Sequence, residues 1–127
     1  MRVTDQDIHD LIDRIQELMD NTVNKGRPES SYRQKVRVRN DKINPKAKYI
    51  ALDSYSLHPD GVSESAGGVF CFVAAVDNQS KAVGVVQKGD ILKSGGYSTP
   101  AKHARGNIYD ENQGMRGMAW TGPHYLK

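Results

Sequence analysis

Cysteine and long apolar runs are the features that this sequence most clearly lacks. Its 127 residues include one cysteine, Cys71, so no disulfide can form within the chain, which is typical of proteins of a reducing compartment. No run approaches the roughly 18 apolar residues that a membrane span needs, and the mean hydropathy is −0.67. The acidic N-terminal residues contain no apolar stretch, so we expect neither a membrane span nor a signal peptide.

Motifs of metal binding and catalysis are also missing. No C-x-x-C or H-E-x-x-H spacing occurs, and the histidines are dispersed, at His9, His58, His103 and His124. The chain has neither a Walker loop nor a dinucleotide-binding glycine fingerprint, and Cys71 lies within an apolar strand, where cysteine is usually inert. No acid–base pair accompanies the basic residues. We therefore predict no metal, no cofactor and no enzymatic activity.

The length is that of one domain, and the patterns along the chain predict an α+β fold with a small antiparallel sheet. Residues 1–24 are expected to form a long N-terminal amphipathic helix, residues 25–47 a basic linker and strand, and residues 48–127 a β-rich core. A second, short helix is expected near 99–106.

The N-terminal helix is predicted over residues 4–23, with Thr4 as its cap and Asp7 completing a capping-box pattern. One apolar stripe follows the helical spacing, formed by Ile8, Leu11, Ile12, Ile15, Leu18, Met19 and Val23. This stripe either packs on the chain's own sheet or pairs with the helix of a second copy.

Positive charge is concentrated in one segment. Residues 1–24 carry a net charge of −4, residues 25–49 carry +7, and the remainder is neutral. Within the basic segment, residues 32–39 alternate strictly, which predicts a strand with one cationic face formed by Arg33, Lys35, Arg37 and Arg39. Side chains on that face are about 7 Å apart, close to the spacing of consecutive phosphates. The face either binds an anion or is a solvated surface.

The β-rich core is predicted to contain strands at 48–56, 69–76 and 91–93, with a polar loop at 57–68 and residues 125–126 returning to the sheet. Residues 82–87 are expected to pair back on 69–76 after a turn at 77–80. This hairpin, which spans 74–88, is apolar on both faces. It is therefore either buried within the chain or covered by another protomer.

The short helix near 99–106 has Thr99 as its expected cap, Pro100 in its first turn and Gly106 after its end. Its free N–H groups at Ala101 and Lys102, with the cations of Lys102 and Arg105, would form an anion site. Nearby aromatic rings that could stack on a base are those of Tyr97, Tyr109 and Trp120. The alternative is an ordinary surface turn.

Three segments within residues 70–110, namely F-C-F-V, K-G-D-I-L-K and P-A-K-H-A-R-G-N-I-Y-D, carry a resemblance to a group of small phage-encoded proteins. The group overlaps the viral sponge proteins that sequester cyclic nucleotides of CBASS-type defence. The resemblance implies a homo-oligomer in the host cytoplasm. It also implies ligand contacts at Lys102, Arg105 and Asn107, with Lys93 and Tyr97 adjacent. The long 74–88 hairpin and the Gly96-Tyr97-Ser98 sequence depart from the group's pattern.

These patterns predict a non-catalytic, oligomeric phage protein that sequesters a phosphorylated nucleotide signal, such as a cyclic dinucleotide, to evade host defence. Two alternatives stay open. One is a single-stranded nucleic-acid-binding protein that uses the basic strand. The other is a structural or virion-associated phage protein.

Overall fold

A computed structural model describes residues 2–28 and 30–123 and has an α+β architecture. Its single described α-helix is α1 (Asp5–Asn21). The described strands are β1 (Arg33–Val38), β2 (Tyr49–Leu57), β3 (Glu64–Ala74), β4 (Asn78–Ser80), β5 (Gly84–Val86), β6 (Asp90–Leu92), β7 (Gly106–Asn107), β8 (Met118–Ala119) and β9 (Gly122–Pro123). No helix among the described residues is long and apolar enough to span a membrane.

A five-stranded antiparallel sheet organises the chain, in the order β1-β2-β3-β6-β7. Two small hairpins, β4-β5 and β8-β9, lie outside it. Residues directly opposite each other on antiparallel strands share a face. The register therefore defines an inner face, which α1 covers, and an outer face that includes Lys35 opposite Tyr55 and Arg37 opposite Asp53.

The predicted N-terminal helix is confirmed, including its cap. The Asp7 backbone N–H donates to Thr4 Oγ1 at 3.0 Å, and the Thr4 N–H donates to Asp7 Oδ2 at 3.2 Å, which is a complete capping box. The apolar stripe packs on the chain's own sheet, which was the first of the two alternatives. Its fully buried members are Ile8, Leu11, Ile15 and Met19.

Side chains of α1 and of the turn that follows it also protect the sheet's edge strand β1. Asn24 Oδ1 accepts from the Gln34 N–H at 2.8 Å, and Asn24 Nδ2 and Gln16 Nε2 both donate to the Gln34 carbonyl oxygen. Gln16 Oε1 accepts from the Val36 N–H. Because unpaired backbone groups on an edge strand invite pairing with other chains, these amides reduce that hazard along half of β1.

The apolar hairpin is present, but its predicted pairing is wrong. Residues 77–80 were expected to be the turn; instead β4 lies there, and it pairs with β5 across the turn at 81–83. β3 pairs with β6 rather than with residues 82–87. Of the hairpin's side chains, Val83 and Val86 are buried on the outer face of the sheet, against Phe72 and Leu92. Val85 remains 75% exposed.

Strand β3 begins earlier than its sequence indicates. The glycine- and serine-rich residues 64–68 were predicted to be loop, yet they continue β3 alongside β2, with Glu64 opposite Leu57 and Ala66 opposite Tyr55. Pairing with β2 supplies hydrogen bonds that stabilise this segment as a strand, although its intrinsic strand propensity is weak. The register shifts near Asp53, where a bulge accommodates the two glycines Gly67 and Gly68.

The short helix predicted at 99–106 is wrong. Thr99 and Pro100 are instead part of an extended segment that lies along the continuation of β6. The Ala101 N–H donates to the Lys93 carbonyl at 2.7 Å, and the Arg105 N–H donates to the Ile91 carbonyl at 2.8 Å. These bonds to β6 and the residue after it provide acceptors for backbone N–H groups, and a helix this short could not have offset their loss. The predicted return of residues 125–126 lies outside the described residues.

We predict that Thr4→Ala lowers the free energy of unfolding by about 1 kcal/mol, because it removes a capping box. The matched control is Thr99→Ala, which we expect to have no measurable effect, since Thr99 caps no helix in this fold. Urea denaturation of both variants measures the difference. An equal loss in the two variants would contradict the assignment of Thr99 to extended backbone.

A second prediction concerns Tyr109, whose hydroxyl donates to Asp7 Oδ2 at 2.7 Å. This bond, with those from Thr4, lowers the pKa of Asp7, while burial and the neighbouring carboxylate raise the pKa of Tyr109 to about 12. A carboxylate with a lowered pKa stabilises the fold above its ordinary pKa near 3.8, and this contribution is lost as pH falls through its folded pKa.

We therefore expect Tyr109→Phe to destabilise the protein at pH 7, and the difference from the native chain to shrink as the pH falls below 4. Tyr32→Phe is the control. Thermal unfolding between about pH 2 and 7 makes the comparison. A pH-independent difference would show that Tyr109 acts through packing alone.

Candidate functional site

The uncovered half of the outer sheet face forms a groove of about 500 Å³, which we call the outer groove. The β4-β5 hairpin covers the other half of that face. The groove's lining combines cations, aromatic rings and exposed backbone: Arg37, Arg39, Asn40, Asp41, Asp53, Ser54, Tyr55, Ala66, Gly67, Gly68, Val69 and Tyr97. A volume of this size lies within the range of small-molecule sites, roughly 300–1,000 Å³.

Arg39 connects three parts of the chain at one end of the groove. Its Nε and Nη2 donate to the two carboxylate oxygens of Asp53, each at 2.9 Å, and its Nη1 donates to the Tyr97 carbonyl at 2.7 Å. The guanidinium carbon lies 3.7 Å from the centre of the Tyr97 ring and 5.9 Å from that of Phe72. The hydrogen bonds that Arg39 donates to Asp53 raise the pKa of Arg39.

Arg37 forms a second cation–aromatic pair, which is more exposed. Its guanidinium carbon lies 4.0 Å from the centre of the Tyr55 ring, and its Nη1 donates to Glu64 Oε1 at 2.8 Å. The side chains of Arg37 and Glu64 are 35% and 38% exposed. Glu64 raises the pKa of Arg37, and burial raises the pKa of Tyr55.

The bulge in β3 brings backbone to the groove floor. A Cβ at Gly67 would overlap the Ser54 carbonyl group and lie 2.7 Å from Ser54 Oγ, so only glycine fits there. A Cβ at Gly68 would meet open space. Gly68 is therefore free of steric constraint from its own chain, and the groove beside it is available to a ligand.

The four cations predicted to form the basic strand face have different surroundings. Arg33 donates to the carbonyls of Asn24 and Arg27, at 2.8 and 2.9 Å, and so joins the start of β1 to the turn after α1. Arg37 and Arg39 line the groove. Lys35 lies opposite Tyr55 on the same face, and no described residue forms a hydrogen bond or ion pair with its ammonium group.

The residues predicted around the short helix lie in extended and bent backbone without a helix. Thr99 accepts from the Gly95 N–H, and the N–H of Ala101 is bonded to Lys93, so the expected backbone anion site is wrong. The Lys93 ammonium donates to the Pro123 carbonyl at 2.8 Å. Lys102 is exposed, and Arg105 Nη1 donates to the carbonyls of Lys102 and His103.

Asn107 is part of the fold's internal bonding. Its side-chain nitrogen donates to the Lys88 carbonyl and to Asp90, and its side-chain oxygen accepts from the Tyr109 N–H. Of the residues named from the resemblance, Tyr97 is the one that lines the outer groove. The Arg39–Tyr97 contact thus joins the two segments that the sequence marked separately.

Sequence reasoning found three of the twelve groove-lining residues and missed nine, among them Asp53, Tyr55, Gly67 and Gly68. A signal for Asp53 and Tyr55 existed, because they are two residues apart on β2 and so share the face that pairs with the basic side of β1. The glycines were interpreted as loop. In the described part of the chain no group of three or more histidine, cysteine or acidic side chains could hold a metal ion. Cys71 is fully buried, and burial raises the pKa of its thiol.

No family model matches the chain, and no curated protein and no solved structure shows significant similarity to it.

We predict that alanine destabilises the protein at the first of the two adjacent glycines and not at the second. Gly67→Ala should lower the free energy of unfolding by about 1–3 kcal/mol, the usual cost of overpacking, because its Cβ would overlap Ser54. Gly68→Ala should leave stability within about 0.5 kcal/mol of the native value. Chemical denaturation measures both, and equal stabilities would contradict the bulge geometry.

Proposed function

We propose that the protein binds a small phosphorylated nucleotide, such as a cyclic dinucleotide, in the outer groove and sequesters it without catalysis. The observation that carries this proposal is the pair of cation–aromatic contacts, Arg37 on Tyr55 and Arg39 on Tyr97, that line one open groove. In the biological setting that the sequence resemblance implies, the protein is a phage-encoded homo-oligomer in the host cytoplasm, and sequestration evades antiphage defence.

The phosphate is proposed to contact Arg37 and Lys35. The Arg37–Glu64 pair is about one-third exposed, and such pairs contribute only about 0–1 kcal/mol, so a phosphate can replace Glu64 at low cost. Lys35 lies two residues from Arg37 on the same strand face, about 7 Å away. Arginine offers a bidentate fork and lysine a point charge, which suits two oxygens or two phosphates of one ligand.

The base is proposed to stack on the aromatic wall. The Tyr97 side chain is 69% exposed although Arg39 contacts its ring, so a large part of the ring is free to receive a base. Stacking of one base on an aromatic side chain contributes about 1–3 kcal/mol. The open space above Gly68 leaves room for the sugar or the second half of a cyclic ligand.

Binding rather than turnover is proposed because Asp53, one of the two carboxylates that line the groove, holds Arg39 with both of its oxygens. A carboxylate so engaged is poorly placed to exchange a proton with a ligand. The roles that the resemblance implies for Lys102, Arg105 and Asn107 stay predictions. The oligomer interface is proposed on exposed surface such as Val85 of the hairpin, since the stripe of α1 is used internally.

The test is calorimetry at low salt against cyclic di- and trinucleotides, with mononucleotides for comparison. We expect saturable binding by the native chain and a loss of at least about tenfold in Arg37→Gln, since a hydrogen bond to a charged group contributes about 1.5–3 kcal/mol. Gly68→Leu should also weaken binding by filling the groove. The control, Arg116→Gln, changes an exposed arginine outside the groove lining and should bind normally.

An absence of heat with every nucleotide, from a folded protein, would contradict the proposal. Fluorescence anisotropy with single-stranded oligonucleotides then separates the two alternatives. Tight, strongly salt-dependent binding would identify a nucleic-acid-binding protein. Failure of both ligand classes would favour a structural role.

A further inference from the structure

We propose that Arg39 is a positioning residue that holds Tyr97 in place as the aromatic wall of the outer groove, and that it does not itself contact the ligand's phosphate. The inference rests on the proposed function and assigns different roles to the cations of the predicted basic face. Arg37 and Lys35 contact the anion, whereas Arg39 prepares the surface on which the base stacks.

Every nitrogen of the Arg39 guanidinium is already bonded to its own chain. Each of its three nitrogens donates a hydrogen bond, two to Asp53 and one to the Tyr97 carbonyl. Its side chain is 16% exposed, about half the exposure of Arg37, which donates through one nitrogen only. A phosphate that took Arg39 would leave the partly buried Asp53 carboxylate without its cation.

Tyr97 lies at the tip of a loop with few other restraints. The Gly95 N–H donates to the Thr99 carbonyl at 2.8 Å and closes the loop on itself, and Ser94 Oγ bonds both the N–H and the carbonyl of Gly96. Among the described residues, the recorded side-chain contacts that tie Tyr97 to the sheet are those with Arg39.

Arg39 therefore links two segments that are 58 residues apart in sequence, and it holds the ring of Tyr97, which follows β6, at the groove. Releasing Arg39 to a ligand would release Tyr97 as well, so one ligand cannot gain both the salt bridge and the stacked ring. An arrangement in which Arg39 stays on Asp53 keeps the stacking surface, and the ordering cost of the loop is met before the ligand arrives.

Salt dependence separates the two roles. Added salt weakens a direct contact between an arginine and a phosphate but not the stacking of a base on a tyrosine ring, so the loss of a phosphate contact lowers the slope of log affinity against log salt. We expect Arg37→Gln to lower this slope, measured with the cyclic dinucleotide that binds best. Arg39→Gln, made together with Asp53→Asn so that no unpaired carboxylate is left in the groove, should weaken binding about fivefold or more, as expected for one lost stacked base, with the slope unchanged. Tyr97→Ala, which keeps Arg39, should reproduce the Arg39→Gln result.

The double variants provide a second readout. Because Arg39 acts through Tyr97, adding Tyr97→Ala to Arg39→Gln should cause no further loss of affinity, whereas adding it to Arg37→Gln should multiply the two losses. A reduced salt slope in the Arg39→Gln variant that also carries Asp53→Asn, or independent losses for Arg39 and Tyr97, would overturn the inference.

Hydrogen exchange without any ligand keeps this inference separable from the proposed function. Amide exchange over residues 94–99 should be several-fold faster in Arg39→Gln than in the native chain, and unchanged in Arg37→Gln, because among the described residues Arg37 bonds Glu64 and contacts the Tyr55 ring instead of the loop. If no nucleotide binds, the proposed function fails and this measurement still decides whether Arg39 holds the loop. Equal exchange in all three proteins would overturn the inference.

Discussion

A sheet with apolar side chains on both faces needs a cover on each, and this requirement shapes the whole molecule. Helix α1 covers the inner face, while the short β4-β5 hairpin covers only part of the outer face. The remaining part has to tolerate water, and it is there that β1 and β2 carry cations and tyrosines. The outer groove is thus the consequence of a cover that is shorter than the sheet.

The features that could be predicted from the sequence are those that local chemistry determines. The capping box of α1 spans four residues, its apolar stripe follows one period, and the alternation in β1 needs no partner to be recognised. For the same reason Lys35, Arg37 and Arg39 were found as one face. Tyr97 was found as an aromatic neighbour of a binding segment, although the segment itself was misassigned.

The features that could not be predicted depend on partners far away in sequence. Residues 99–106 have the capping residues of a short helix, but their backbone N–H groups at Ala101 and Arg105 donate to the carbonyls of Lys93 and Ile91. Residues 64–68 look like loop until β2 is placed beside them. The Arg39–Tyr97 contact could not be predicted for the same reason, because neither segment carries a signal for the other, and this contact joins two of the segments that line the groove.

The central claim is that the outer groove receives a phosphorylated nucleotide, and amide chemical shifts test it most directly. In a titration with a cyclic dinucleotide, we expect the largest amide shifts to cluster at Lys35, Arg37, Gly68 and Tyr97. Shifts confined to residues 102–107, where the sequence resemblance implied the ligand, or a spectrum that does not change at saturating nucleotide, would contradict it.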